Sequence, residues 1–325
     1  MTIEHELTRT ASFSVGYVGN HTYRQPVQDS SINASGFGSY TGGGNPNFSG
    51  VTEVYSEGSS NYNGLSTSLV NHARWLTLQL NYSYSHALDD VSNGGFEAFG
   101  PLVGAVLPTN PNISLLNQNY GNSDYDTRHY VSGSYVINVP HWGGPKAITD
   151  GWEISGTTFH NDGLPFSVTA NTVSAGIADY NGPLFARQIA PITNNHCGGG
   201  AHSVNGPTGT LGAAVPCSFV ADFADPTDFG QGRRNSIYGS SYTDSDLSLA
   251  KHFGIPKWES ANLVLRVTAF NVFNHPNFGP ANGNVDSGAF GTISNDVSTP
   301  TSILGSFLGG NADPRLLQMN AKFTF

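Results

Sequence analysis

Four residues able to bind a metal or change redox state fall in one polar stretch: His196, Cys197, His202 and Cys217. Together they could supply a four-ligand zinc set, but their spacing is not that of a zinc knuckle. The two cysteines are the only ones in the chain and have nineteen residues between them, which suits a single loop disulfide, Cys197 to Cys217, in an oxidising compartment. "HELT" at His5 lacks the second histidine four residues on that a zincin helix requires, and it leads into a strand, so zinc proteolysis is not expected. In "DYDTRH", Asp124, Asp126, Arg128 and His129 could be imagined as an acid/base cluster or a calcium site. "GFGSYTGGGNPNFSG" is glycine-rich but follows no strand-to-helix pattern; it reads as a flexible outer loop rather than a nucleotide loop. No Ser/His/Asp or Cys/His arrangement has supporting context, so neither an enzyme nor a cofactor is expected.

The elements that position these residues follow from composition and periodicity. The 325 residues include Gly 40, Tyr 14 and Phe 19 but only 11% charged residues, against the ~25% usual for soluble domains. A formal charge of −10, with no Lys/Arg-rich run, excludes a phosphate-tracking nucleic-acid surface. Apolar runs such as "WLTLQL" and "ANLVL" fall far short of the ~20 residues of a membrane-spanning helix. The opening "MTIEHELTRT" has no basic n-region and no apolar h-region. The chain is therefore either cytosolic or without its natural start, and the cysteine pair favours the second.

Eight segments show strand character. In "WLTLQLNYSYSH", Leu76, Leu78, Leu80, Tyr82 and Tyr84 share one face, while Thr77, Gln79, Asn81, Ser83 and Ser85 share the other. Similar alternation marks 11–23, 62–71, 128–139, 151–160, 242–253, 261–272 and the terminal "LLQMNAKFTF". Most run ten to twelve residues, longer than the ~5–6 of a soluble strand and matched to the ~9–11 of a tilted strand crossing a bilayer.

The connections alternate as well. Long segments at about 25–60, 87–126, 165–241 and 274–313 are interleaved with short ones at "NHAR", "HWGGPKAITDG" and "GIPKWES". Outer-membrane barrels show this asymmetry, with short periplasmic turns and long extracellular loops. The expected class is all-β: antiparallel transmembrane β-barrel strands, about eight of them. A secreted β-sandwich or adhesin also alternates and carries glycine-rich loops, but its strands are shorter and its long loops are not segregated to one end.

This placement assigns roles. Asp244, Asp246 and Arg266 fall on the inner parity and are expected to face the lumen, because a basic residue on the lipid face near the midplane costs ~2–4 kcal/mol. Trp75, Tyr82, Tyr84, Trp142 and Trp152 sit at strand ends, where an interfacial aromatic girdle is expected.

Four stretches carry a family resemblance: "YNGLSTSLVNHARWLTLQLNYSYSHALDD" (62–90), "DYDTRHYVSGSYVINVP" (124–140), "GWEISGTTFHNDGLPFSV" (151–168) and "LRVTAFNVFNHPNFG" (265–279). They resemble the C-terminal barrel of TonB-dependent outer-membrane receptors, most closely the Oar-like subgroup with a carboxypeptidase-regulatory-like N-terminal domain. The resemblance spans nearly the whole chain, from "FSVGYVGNH" (13–21) to Phe325. It implies a 22-stranded barrel, an N-terminal plug, a TonB box and a signal peptide, none of which the sequence contains, so a C-terminal receptor portion is expected. It further implies rim hydrogen bonds and salt bridges for "DYDTRH", and location in the outer membrane of a Gram-negative cell. The partners it implies are outer-membrane lipid, the TonB system acting through the plug, and an extracellular nutrient ligand. The terminal aromatics Phe323 and Phe325 resemble the signal read by the barrel-assembly machinery. The function expected is nutrient uptake energised through TonB; the alternative is a structural or adhesive surface protein, either a small eight-stranded barrel or a secreted sandwich.

Overall fold

The computed structural model describes residues 1–29, 32–90, 92, 112–177, 184–192, 218–254, 261–293 and 315–325. Nine long strands form one antiparallel path: β1 Thr2–Thr8, β2 Ala11–Asp29, β3 Glu53–Ala73, β4 Leu76–Asp89, β5 His129–Asn138, β6 Trp152–Asn161, β7 Tyr242–Gly254, β8 Asn262–Phe270 and β9 Leu316–Thr324. They pair in chain order, with β1 and β9 at the two edges. A tenth, two-residue strand, Gly121–Asn122, pairs with the outer end of β4. Among the described residues no helix is long and apolar enough to cross a membrane.

Eight strands were expected from the periodicity, and the structure adds β1. Its apolar parity carries only Ile3 and Leu7, interrupted by His5, a signal too thin for alternation to reveal. Pairing supplies what pattern lacks: Ile3 lies opposite Val15 and His5 opposite Phe13. "HELT" is thus the body of a strand rather than an approach to one. Two strands also exceed expectation, since β2 has 19 residues and β3 has 21, about twice the ~9–11 that a bilayer requires. Their outer halves form a hairpin that continues past the end of β4.

The register carries a single apolar face across the sheet. Leu76, Ile137, Ile154, Leu249, Val267 and Met319 lie side by side in one row from β4 to β9. A polar row lies on the opposite face: Thr77 meets Val136, then Ser155, Ser248, Thr268 and Gln318 follow across the strands. Because side chains alternate strictly along a strand, a one-residue slip in any pair would exchange the faces. Gly156 marks one tight point in this wall. A Cβ there would lie 2.7 Å from the Tyr135 hydroxyl, whose ring covers the glycine from the neighbouring strand.

Short connections gather at one end. Arg9 and Thr10 join β1 to β2, and Arg74 and Trp75 join β3 to β4. Residues 139–151 join β5 to β6, and β7 ends and β8 begins at the same end. Gly151 enters β6 at a φ of 74°, where a Cβ would sit 2.6 Å from the His252 carbonyl, so the turn requires glycine. The strand ends that the long connections join lie at the opposite end.

Candidate functional site

At the long-loop end the ladder between β4 and the following strand is interrupted. Gly121–Asn122 pairs with Leu88 and Asp89, and His129 resumes pairing at Tyr84, so residues 123–128 bulge outward between them. The Asp126 carboxylate fills the gap, accepting from the Ala87 backbone N–H at 2.7 Å. It also accepts from Arg128 Nε at 2.9 Å and from the Tyr238 hydroxyl at 3.3 Å. Arg128 reaches His86 Nε2 at 2.8 Å and Tyr238 at 3.2 Å. The "DYDTRH" residues therefore make rim hydrogen bonds and an ion pair.

A second buried charge completes the lattice. Arg234, on the long loop between β6 and β7, is buried with its side chain 1% exposed against a fully buried Asp89. Its Nη2 donates to both the Asp89 carboxylate and the Asp89 carbonyl. Its Nε donates to the Asn119 carbonyl at 2.7 Å and its Nη1 to the Ser92 carbonyl at 2.7 Å. The other Asp89 oxygen accepts from Ser123 Oγ at 2.7 Å. Next to it, Asp90 accepts from the Ser59 backbone N–H at 2.7 Å and from Ser59 Oγ at 3.0 Å, tying β3 in. Asn235, at a φ of 50°, donates to the Asn122 carbonyl and to Asp124 Oδ1, both at 2.7 Å. Burial pushes the Asp90 carboxyl and the Tyr125 and Tyr238 hydroxyls above their ordinary values. Arg234 and Asn235 were not singled out in the sequence; adjacent arginines in "GRRN", in a chain with 13 basic residues, were the available signal.

Above this lattice the loops share apolar cores. Phe166, Val168, Ala186, Phe223 and Ile237 of the β6–β7 loop pack with Ala281 and Ile293 of the β8–β9 loop. A second cluster joins Ala34 of the β2–β3 loop to Ile177, Leu184 and Phe229. The glycine-rich loop expected to be flexible is packed: Phe37 and Tyr40 meet Phe229 edge-on at 5.3 and 6.0 Å, and Gly38, at a φ of 59°, abuts Asp228. Tertiary packing onto Phe229 supplies the order that its composition does not. The described parts of the long loops thus form a welded cap rather than separate strings.

The polar face below is lined by hydroxyl and amide groups. Ser68 donates to Asn81 at 2.8 Å, Ser248 and Thr268 share a bond of 2.7 Å, and Thr157 donates to Asp246 at 3.3 Å. Gln79, Ser134, Ser155, Thr157, Asp246 and Ser248 border a shallow hollow of about 360 Å³. Asp244, Asp246 and Arg266 all lie on this polar parity. Arg266 is held at 2.9 Å by Glu153, which also lies 3.5 Å from His252, an acid the sequence reading had passed over. Among the described residues no cluster of His, Cys, Asp or Glu could hold a metal ion. Cys197 and Cys217 lie outside the described residues.

The aromatics form two bands, with Trp152, Tyr82, Tyr84 and Phe323 on the apolar parity of their strands and Trp75 and Trp142 in the turns. Trp75, Trp142 and Trp152 lie at the turn end, joined by Phe323 and Phe325, whose rings stack at 5.9 Å. Tyr82 and Tyr84 lie toward the loop end, where both meet the His129 ring, Tyr82 also by a 2.8 Å hydrogen bond. Trp75 and Tyr84 are nine residues apart, about 30 Å of strand at ~3.3 Å per residue, or about 23 Å of height at a ~40° tilt. That height matches the ~25 Å apolar band of an outer-membrane barrel.

Long antiparallel strands, one apolar face between aromatic bands, one hydroxyl-lined face, and loops segregated by length define the class: an outer-membrane β-barrel wall. A family model described as "Outer membrane beta barrel domain" matches residues 1–318, and the chain belongs to that family. Membership places it in the outer membrane, with its apolar face toward lipid. Among solved structures it is similar to the outer membrane transporter YddB from Escherichia coli, at 12% identity and a TM-score of 0.42, over 100% of this chain and 32% of that one. The chain thus spans about a third of the length of that transporter. No curated protein matches the sequence.

Proposed function

We propose that the chain forms wall and outer cap of an outer-membrane uptake receptor of the TonB-dependent type, and that its role is not enzymatic. The carrying observation is the welded cap set above a hydroxyl-lined inner face, since a rigid outer surface over a polar passage suits capture and admission of a hydrated solute. The sequence resemblance to the Oar-like receptors supplies the energy source and the larger, 22-stranded barrel. The edges β1 and β9 support that larger barrel, because strand edges in lipid need partners for their backbone groups. The ligand binds at the cap, and TonB acts through a plug.

The test is uptake by cells expressing the chain with all adjoining coding sequence. Deleting it should abolish accumulation of a limiting nutrient, and an uncoupler of the inner-membrane proton gradient should reproduce that loss. Accumulation indifferent to both treatments would overturn the reading and favour an adhesive or structural surface role.

A second proposal concerns assembly. Phe323 sits opposite Leu263 on the lipid face, and Phe325 is 88% exposed at the turn-end rim, a position open to the barrel-assembly machinery. Deleting Phe325 is expected to lower the heat-modifiable, membrane-inserted fraction several-fold. Unchanged insertion in pulse-labelled cells would remove Phe325 from that role.

A further inference from the structure

The lipid-facing parity contains one cation that the pattern does not explain. Lys251 stands between Leu249 and Phe253, in register with Trp152 on one side and Leu265 on the other. It is nonetheless only 7% exposed. Its ammonium donates to the Ile148 carbonyl at 3.1 Å and to the Asp150 carbonyl. It also lies 5.1 Å from the Trp152 ring centre and 5.5 Å from that of Phe253. Trp152 Nε1 donates to the same Ile148 carbonyl at 2.7 Å. These contacts fold the short helical turn Lys146–Thr149 back against the outside of the wall.

That fold-back creates a groove of about 700 Å³ on the membrane side, within the ~300–1,000 Å³ typical of ligand pockets. Its floor is Leu249, Leu265, Val267, Met319 and Ala321, its flank is Ala147 and Ile148, and Lys251 lies at its turn end. Ala321 opens the space, because it shares a row with Leu265 and Lys251 but carries only a methyl group. Two of the three Lys251 N–H groups go to carbonyls. Lys146 adds a second ammonium on the turn, whose carboxylate, Asp150, is engaged by His141 and Thr149. An apolar trough that faces lipid and ends in the Lys251 ammonium at the aromatic band has the chemistry of an amphiphile with an acidic head.

We propose that this groove holds one membrane phospholipid of the turn-side leaflet, an acyl chain lying on the Leu249–Ala321 floor and its phosphate at the Lys251 and Lys146 ammonium groups. Membership in the outer-membrane family brings lipid to this face, and the two cations select the phosphate. The site is independent of whether the chain serves uptake.

Native mass spectrometry of the protein extracted from outer membranes, with dipalmitoyl phosphatidylglycerol titrated back after delipidation, tests the proposal. The parent should retain one lipid per chain. Ala321→Trp, which fills the floor without touching the lysine contacts, should abolish retention. Lys251→Met should weaken it about tenfold, the size of losing one charge-assisted hydrogen bond. The folded state of each variant is read from its heat-modifiable migration. A parent that retains no lipid, or an Ala321→Trp protein that retains it as well as the parent, would overturn the groove as a site. Equal retention of palmitic acid and the phospholipid would overturn the phosphate assignment.

Discussion

Replacing Arg234 with methionine is expected to open the outer cap while leaving the membrane-crossing strands in place. The substitution strands the Asp89 carboxylate, fully buried and facing groups that were ordered around a guanidinium. Removing one partner of a buried pair costs ~3–5 kcal/mol, because the remaining charge is left without compensation. Arg234 also donates to the carbonyls of Asn119 and Ser92, so the variant loses three segments' anchorage at once. Limited proteolysis of outer-membrane vesicles should cut the loops between β4 and β5 and between β6 and β7, with the strands still protected. Adding Asp89→Leu should restore part of the protection, since both charges are then gone. A single variant as resistant as the parent would show that the apolar cores hold the cap without the ion pair.

The second large effect separates the two faces of β4. Leu80 lies on the apolar face between Leu69 and Gly133, while its neighbour Gln79 lies on the polar face between Val70 and Ser134. Leu80→Arg is expected to cost ~2–4 kcal/mol of stability in the bilayer, whereas Gln79→Arg should stay within ~0.5 kcal/mol, as surface substitutions do. The denaturant midpoint of the protein folded into phospholipid vesicles measures both. The reverse ranking would mean that the polar face, not the apolar one, meets the lipid.

Much of the wall was legible because side-chain direction in a strand is local. The alternation in "WLTLQLNYSYSH" sorts residues onto two faces by the pleat itself, whatever the strand pairs with. Trp75, Trp152 and Tyr84 could be set at strand ends, and Asp246 and Arg266 on the polar face, on the same ground. The thin pattern of β1 escaped, because His5 occupies an apolar position and only pairing with Phe13 identifies the segment as a strand. Lys251 escaped for the opposite reason. Its parity marks it as a misplaced charge, and only the turn folding back to offer two carbonyls explains how it is accommodated.

By itself, then, the sequence determined the periodicity, the segregation of short turns from long loops, and with them an antiparallel membrane wall. Tertiary structure alone decided what the loops do. Asp89 meets Arg234 across 145 residues of chain, and Ala34 shares a cluster with Phe229. Contacts at such separation leave no periodic trace, because their partners are chosen by where the strands deliver the loop ends in space. The pleat repeats every two residues and can be read along one strand; the cap exists only once the strands stand side by side.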